Sequence, residues 1–360
     1  MHDAARVRWI ESVSCCTVSA DPEIVHPVGL PELPDEIWGI VCNLLEDRKD
    51  RDSLSFTGKD LLRCVMSRST RLVIRISHVG GLSDAKPYQL AALGHIKEVC
   101  FSNVDDDTTH YLQLMLQLLP TLEQLRISTK GVLKHLPEPL PQRLLILDCS
   151  GCEGLTRLPD HLPPTLQTLD CSGCKELSHL PEYLPATLQT LDCRECIRLT
   201  CLPERLPSTL QTLDCRCIRL TRLPEHLPAT LQTLDCRECI RLTCLPERLP
   251  STLRTLNCGR YTELTCLPEQ LPITLRNLNC GSCIRLTRLP ERLPPTLQIL
   301  DCGGCTILTR LPERLPPTLQ ILDCGGCNGL TRLPEHLPLT LDSRGCMKLM
   351  VLPGHLKPTQ

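Results

Sequence analysis

The stretch Leu166-Gln-Thr-Leu-Asp-Cys-Ser-Gly-Cys-Lys-Glu-Leu177 decides the fold of this chain, because versions of it recur along most of the sequence. Its Leu-Asp-Cys core returns at a spacing of 22 residues, once of 21. The core aspartate recurs at Asp148, Asp170, Asp192, Asp214, Asp235, Asp301 and Asp323, and Asn257 and Asn279 take the same place. A period of this length predicts stacked units that share one continuous core, since no unit can bury its apolar face alone.

Within each unit, Leu166, Leu169, Cys171, Cys174 and Leu177 resemble the core of a leucine-rich repeat, with one extra residue before the last leucine. The first three should point inward from a short strand, and Cys174 should occupy the turn position usually held by asparagine. The proline-rich remainder, such as residues 158–165, cannot form a regular helix because proline removes donors and forces its predecessor into extended geometry. We therefore expect a curved leucine-rich-repeat solenoid over residues 119–355, with parallel β-strands on its concave face and an extended or polyproline-like convex side.

Two family resemblances refine this expectation. The recurring Leu-Pro-x-x-Leu-Pro is similar to the short repeats of bacterial effector proteins, and the run Leu147-Asp-Cys-Ser-Gly-Cys152 is similar to the repeats of plant resistance proteins. Both resemblances imply a surface that binds another protein.

The composition argues against other classes of partner. The formal net charge is -2, which lacks the basic signature of a nucleic-acid-binding protein. No stretch of 18 apolar residues predicts a membrane span, and charged Arg6, Arg8 and Glu11 interrupt the N-terminus where an export signal would be apolar. We expect a soluble cytoplasmic or nuclear protein, or one acting in the host cytosol if it is a bacterial effector.

The 26 cysteines allow two interpretations. Seven Cys-x-x-Cys pairs, starting at Cys149, Cys171, Cys193, Cys236, Cys280, Cys302 and Cys324, formally fit a two-knuckle zinc pattern. However, the cysteines replace Leu and Asn of the repeat, and one unit has Cys215-x-Cys217, which would disrupt a chain of zinc sites. The favoured interpretation is a buried column of reduced thiols with no metal and no cofactor, while Cys201, Cys244 and Cys266 replace Arg at positions expected to be exposed.

The candidate partner-binding surface is the concave face. Its predicted residues are Gln167, Asp170, Gln189, Asp192, Arg194, Asp214, Arg216, Asp235, Arg237, Asp301 and Asp323. Stacking at about 5 Å would align the aspartates into a stripe of carboxylates. Arginines two residues on offset the early aspartates, whereas glycines follow Asp301 and Asp323. The stripe either selects a basic or hydrogen-bonding partner or only keeps the face soluble.

Ahead of the repeats, residues 29–70 carry Leu30-Pro-Glu-Leu-Pro-Asp-Glu-Ile37 followed by apolar residues at helical spacing. This segment resembles an F-box, a helical motif that docks on the adaptor subunit of a cullin-type ubiquitin ligase while C-terminal repeats choose the substrate. The resemblance implies adaptor contacts by Leu33, Pro34, Ile37, Leu54, Leu61 and Leu62. The usual ending of the motif is absent, and a cap on the solenoid is the alternative.

The remaining segments complete the predicted organisation. Residues 1–28 should be a flexible N-terminus, residues 71–118 divergent first repeats or a cap, and residues 356–360 a tail. In the divergent part we expect a strand at 71–76 and helices at 89–96 and 108–119.

The function predicted from these patterns is binding without catalysis. The first hypothesis is a substrate receptor of a ubiquitin ligase, and the alternative is a non-catalytic scaffold or a secreted effector that binds a host protein. Because the sequence ends at Gln360, shortly after the repeats, we expect no separate catalytic domain.

Overall fold

The computed structural model describes residues 71–75, 97–107, 109–117, 119, 121–129 and 132–349. Within these ranges, 13 strands form a single sheet in which the order across the sheet equals the order along the chain. Every neighbouring pair is parallel. The chain is therefore a leucine-rich-repeat solenoid, as the repeat pattern predicts.

The strands differ in length between the start of the sheet and the rest. Strands β1 to β3 span Arg71–Arg75, Glu98–Val104 and Gln124–Thr129. Strands β4 to β13 have three residues each and span Ile146–Asp148, Thr168–Asp170, Thr190–Asp192, Thr212–Asp214, Thr233–Asp235, Thr255–Asn257, Asn277–Asn279, Ile299–Asp301, Ile321–Asp323 and Thr340–Asp342. In the described ranges a single helix, α1, spans Thr109–Gln117.

The pairing register stacks equivalent residues of successive repeats. Leu169 of β5 pairs with Leu147 on one side and Leu191 on the other, and all three leucines are fully buried. Thr168 and Asp170 flank Leu169 and point to the opposite face, where both are partly exposed. This alternation places the leucines in the core and the aspartates in one column on the outer surface of the sheet, which we call the strand face.

The side opposite the strands has neither helix nor strand in the repeats after β4, in agreement with its prolines. A column of threonine hydroxyls connects the turns there. Thr187 Oγ1, for example, donates to the carbonyl oxygens of Pro164 and Leu166, both at 2.8 Å. The same bond to the preceding repeat is made by Thr165, Thr209, Thr230, Thr252, Thr274, Thr296 and Thr318. These bonds explain why threonine recurs after the prolines, a signal that the sequence analysis passed over.

The first repeats are longer than the rest. The predicted strand at 71–76 is observed as β1, and the predicted helix at 108–119 is observed as α1, whose Leu112 and Leu116 are buried. Strand β2 was not predicted, because Glu98–Val104 lacks the Leu-Asp-Cys core. The alternation of buried Val99 and Phe101 was the available signal. The predicted helix at 89–96 lies outside the described residues.

Candidate functional site: the strand face

The aspartate column stabilises the turn that follows each strand. Asp170 Oδ1 accepts a hydrogen bond from the backbone N–H of Ser172 at 2.9 Å, and Asp323 Oδ1 accepts one from Gly325 at 2.9 Å. Equivalent bonds are made by Asp148, Asp192, Asp214, Asp235, Asn279, Asp301 and Asp342. A side-chain oxygen that accepts from the amide two residues on is typical of Asx turns. The aspartates thus have a structural role that the sequence analysis missed, although their exchange with Asn indicated it.

Arginines pair with four of the five aspartates in the first half of the column, and among the described residues Asp170, which Ser172 follows by two positions, has no ion pair. Arg126 Nε lies 2.6 Å from Asp148 Oδ2. Arg216 and Arg237 follow their own aspartates by two residues and lie 3.0 Å from Asp214 and 2.8 Å from Asp235. Arg194 lies between two repeats, with its guanidinium 3.5 Å from Asp192 and 3.8 Å from Asp214.

Two asparagines separate this half from the next. Asn257 Nδ2 donates to Asp235 Oδ2 at 3.1 Å, whereas Asn279 Nδ2 donates to Asp301 Oδ2 at 2.9 Å. The two amides therefore serve aspartates on opposite sides, so that neutral donors replace charged ones at the centre of the column.

Glycines open a groove in the second half of the strand face. The residue two positions after the Asp or Asn is glycine in four successive repeats, at Gly259, Gly281, Gly303 and Gly325. These glycines line a groove of about 750 Å³ together with Asp301, Asp323 and Asp342, and Arg237 and Arg344 also line it. We call this space the glycine groove.

The carboxylates occupy their observed positions because these glycines have no side chain. A Cβ at position 281 would lie 2.8 Å from Asp301 Oδ1, and a Cβ at position 303 would lie 2.9 Å from Asp323 Oδ1. Within the described part of the chain, no Lys or Arg nitrogen lies within ion-pairing distance of Asp301 or Asp323. In the described residues, the groove therefore holds two carboxylates that accept bonds from backbone amides and form no direct ion pair, although Arg237 and Arg344 line the same groove.

Burial and neighbouring negative charges shift the pKa values of several of these carboxyl groups. Burial, reinforced by Asp214 and Asp170, raises the pKa of Asp192 to about 6. Burial and the charge of Asp323 also raise the pKa of Asp301, an effect that the amide of Gly303 and the charge of Arg237 oppose. At the end of the column, the hydrogen bonds from Arg344 lower the pKa of Asp342 to about 2. Ionising these aspartates in the folded chain therefore costs free energy wherever burial and repulsion between carboxylates outweigh the hydrogen bonds.

The predicted face residues lie together on the strand face. Gln167 and Gln189 are exposed and precede their strands by one residue, and the predicted aspartates and arginines follow on the same surface. Glu238, Arg260 and Arg344, which the sequence analysis did not select, also line the glycine groove. The role of these residues in binding a partner stays a prediction.

The paired cysteines form two buried columns of thiol donors. Cys171 Sγ donates to the carbonyl of Asp192 in the following repeat at 3.4 Å, and Cys174 Sγ donates to the carbonyl of Cys149 in the preceding repeat at 3.3 Å. Burial raises the pKa of Cys152 and of Cys283 to about 12, which keeps these thiols protonated. None of the 22 cysteines in the described ranges is part of a disulfide. Among the described residues, no three His, Cys, Asp or Glu side chains stand close enough to hold a metal ion.

Two repeats depart from the thiol pattern. In the 21-residue repeat, Cys217 still donates to the carbonyl of Cys193, at 2.9 Å, so the deletion preserves the column. Tyr261 replaces the second cysteine of its pair, and its fully buried hydroxyl faces the thiol of Cys236. This repeat is therefore an irregular point of the thiol column at the start of the second half.

The predicted adaptor contacts cannot be placed on this surface. Leu33, Pro34, Ile37, Leu54, Leu61 and Leu62 lie outside the described residues. No helix in the described part of the chain is long and apolar enough to cross a membrane.

Solved structures that are similar to this chain include two effector proteins and an internalin. The chain is similar to YopM, a leucine-rich effector protein from Yersinia pestis, with a TM-score of 0.48 and 21% identity over 87% of this chain and 93% of that chain. It is also similar to the leucine-rich-repeat domain of the type III effector XopL, with a TM-score of 0.37 and 21% identity over 79% and 88% of the two chains. An internalin from Listeria monocytogenes has a TM-score of 0.34 and 16% identity over 88% and 92%.

No protein-family model matches the chain, and no curated protein matches it by sequence. The solenoid class is therefore established by the chain's own repeat and its parallel sheet.

Proposed function

We propose that the chain is a protein-binding module without catalytic activity, and that the glycine groove holds a basic segment of its partner. The observation that carries this proposal is the pair Asp301 and Asp323, which line an open groove and have no arginine within ion-pairing distance in the described residues. Elsewhere on the same face, equivalent aspartates already pair with Arg126, Arg216 and Arg237.

Complementary charge is the physical reason for a basic partner. A Lys or Arg side chain that enters the groove meets carboxylates in adjacent strands, about 5 Å apart, and a guanidinium can bond two oxygens at once. Burial and the repulsion from Asp323 raise the pKa of Asp301, and a cation in the groove would offset that repulsion. The arginines at positions 237 and 344 would repel a basic segment and so limit where it lies.

The test measures the binding of a fluorescent oligo-arginine peptide to the full chain by fluorescence anisotropy, at low and at high salt. An oligo-glutamate peptide is the negative control. The doubly substituted chain Asp301→Asn/Asp323→Asn should bind about tenfold more weakly, a loss of about 1.4 kcal/mol. The matched control, Asp192→Asn/Asp214→Asn, changes the same column where arginines are present and should retain binding. Equal losses in both variants would show that the groove has no special part in recognition.

We further propose that the F-box-like segment connects this binding module to a ubiquitin ligase. The support is the sequence resemblance of residues 29–70, in which Leu33, Pro34 and Ile37 match the motif. A receptor of this kind needs no catalytic residue, because bringing the target close to the ligase raises its effective concentration. The chain would then work in the cytoplasm or nucleus.

A pull-down with the purified adaptor subunit tests this second proposal on the full chain. Wild type should retain the adaptor, and Leu33→Ala/Pro34→Ala should release it while its circular dichroism is unchanged. If wild type fails to bind, the alternative is a non-catalytic scaffold or a bacterial effector that binds a host protein in the host cytosol. The effector alternative has its support in the Leu-Pro-x-x-Leu-Pro units.

A further inference from the structure

Three exposed cysteines occupy a column that otherwise consists mostly of arginine. The column runs one residue before a buried leucine of each repeat and contains Arg157, His179, Cys201, Arg222, Cys244, Cys266, Arg288, Arg310 and Arg332. Cys201, Cys244 and Cys266 are exposed, in contrast to the two buried thiol columns. Packing therefore does not explain the choice of cysteine at these positions.

The arginines of this column have a repeated role that the cysteines give up. Arg222 reaches Glu204 of the preceding repeat at 2.5 Å, and Arg288 reaches Glu269 at 2.7 Å. Arg310 and Arg332 reach the equivalent Glu291 and Glu313 at 3.8 and 3.4 Å. Cysteine cannot form these ion pairs between neighbouring turns. Another property of the thiol group must therefore explain its presence in the column.

Two of the cysteines are neighbours in the column. Thr233 pairs with Thr255 across β8 and β9, and Cys244 and Cys266 follow these two residues at the same distance along the chain. Isolated parallel bridges join Cys201 to Arg222 and Cys266 to Arg288 in this column, whereas Cys244 is placed next to Cys266 by the register of β8 and β9 and not by a bridge. Neighbours at strand spacing lie about 5 Å apart, which is inside the Cα separation of about 4.4–6.8 Å that a disulfide requires.

Most of the other described thiols are buried and compete poorly for this chemistry, and Cys327, whose pKa the hydrogen bond with Cys302 lowers, is buried as well. Burial raises the pKa of Cys152, Cys258 and Cys283, and thiols kept protonated in this way do not attack disulfides. Cys201 is exposed, but Arg222 follows it in the column and His179 precedes it. In the described residues, Cys244 and Cys266 are thus the pair that combines exposure with adjacency.

We propose that Cys244 and Cys266 form a dithiol site that is oxidised to an intramolecular disulfide by a small disulfide such as oxidised glutathione. One thiol loses its proton and attacks the oxidant, which releases one glutathione thiol and leaves a mixed disulfide. The second thiol then attacks the protein sulfur of that mixed disulfide, and the second glutathione leaves as a thiol. Two protein thiols are oxidised and one glutathione disulfide is reduced to two thiols, so atoms and electrons balance.

The experiment uses full-length chain with Cys201→Ser, because the tryptic fragments 199–205 and 242–248 have the same sequence, LTCLPER. The chain is equilibrated with oxidised and reduced glutathione, alkylated, digested and analysed by mass spectrometry. Fragments 242–248 and 261–276 should appear joined by a reducible bond. Closure within one chain should exceed the mixed disulfide at these cysteines by about tenfold, since the second thiol acts at high effective concentration.

The matched control is full-length chain with Cys244→Ser, which keeps Cys201 and hence a fragment of identical mass. The joined product should be absent there, because Cys201 and Cys266 are separated by two intervening members of the column. Three outcomes overturn the proposal: glutathione mixed disulfides at both cysteines without the joined product, linkage of either cysteine to another position, or disulfide-linked dimers on a non-reducing gel. Circular dichroism of both variants checks that the fold is retained.

Discussion

The two halves of the strand face share one backbone but satisfy their aspartates differently. In the first half, Asp214 and Asp235 bond to arginines of their own turns. In the second half, Asp301 accepts from an asparagine amide and a backbone amide, and Asp323 accepts from a backbone amide. The backbone bond to the residue two positions on is common to both halves.

This difference depends on the residue that follows the aspartate by two positions. Arginine at 216 and 237 fills the space above the turn, whereas glycine at 281 and 303 leaves that space open to solvent. The fold therefore constrains the aspartate, and the neighbouring position decides whether its charge is used internally or is available to a partner. A repeat protein can create a site in this way without any change in its strands.

The two halves should differ most in how much stability is lost when an aspartate is removed. Asp235 accepts from the amide and guanidinium of Arg237 and from Asn257, and it is only 8% exposed. Asp235→Ala leaves these donors without an acceptor and should cost about 2–3 kcal/mol. Asp323→Ala removes one bond to Gly325 and should cost about 1 kcal/mol. Urea unfolding followed by circular dichroism measures both.

The ratio of these two losses is the informative quantity. Similar losses would mean that the backbone bond dominates in both halves and that the arginines contribute little. Because a solenoid can unfold in parts, the two variants should be compared only where their transitions keep the wild-type slope.

A substitution of Asp192 should change the free energy of unfolding by less than that of Asp235, and it should raise stability instead of lowering it. Burial and the neighbouring aspartates raise its folded-state pKa from 3.8 to about 6, so the folded chain binds a proton more tightly than the unfolded chain. Stability from this group is present at low pH and is lost as pH rises from about 4 to about 6. Asp192→Asn, which copies Asn257 and Asn279, should raise stability at pH 7 by about 1 kcal/mol and flatten this dependence.

The matched control for that change is Asp148→Asn. Asp148 pairs with Arg126 at 2.6 Å, and the neutral amide would weaken that pairing, so this variant should lose stability at pH 7. If both asparagine variants lose stability, repulsion along the column is not the governing effect.

The sequence was sufficient to predict the solenoid because its leucines recur with one period, and that period requires stacking. Leu166, Leu169 and Cys171 are all fully buried, as their places in the repeat indicated. The buried thiol columns also followed from the pattern, since Cys174 substitutes for an asparagine that would donate in the same place.

What the sequence could not supply was the direction of individual side chains. The glycine groove depends on distances below 3 Å between a would-be Cβ and the next carboxylate, which no pattern encodes. Glu195 and Glu238 have φ angles of 59° and 64°, at a turn position where Gly151 and Gly304 stand in other repeats. Their identity would not suggest the left-handed region, because that conformation is costly for glutamate; only their alignment with the glycines does.

The smallest effect on stability should come from converting one half into the other. Gly303→Arg places an arginine two residues after Asp301, where Arg216 and Arg237 stand in the first half. Its Cβ would approach Asp323 Oδ1 to 2.9 Å, but a carboxylate on a flexible side chain can move, and the new ion pair offsets this crowding. The free energy of unfolding should change by less than about 1 kcal/mol, while the affinity for oligo-arginine falls because the groove is filled.

The reverse change, Arg216→Gly, removes two bonds to Asp214 and leaves that carboxylate with only the longer ionic contact to Arg194, at 3.8 Å, so Asp214 should bind the same peptide more readily. Anisotropy titration measures the affinity of both variants for the peptide, and their urea midpoints measure their stability. A gain of binding by Arg216→Gly would show that removing this arginine is sufficient to make Asp214 available to a partner.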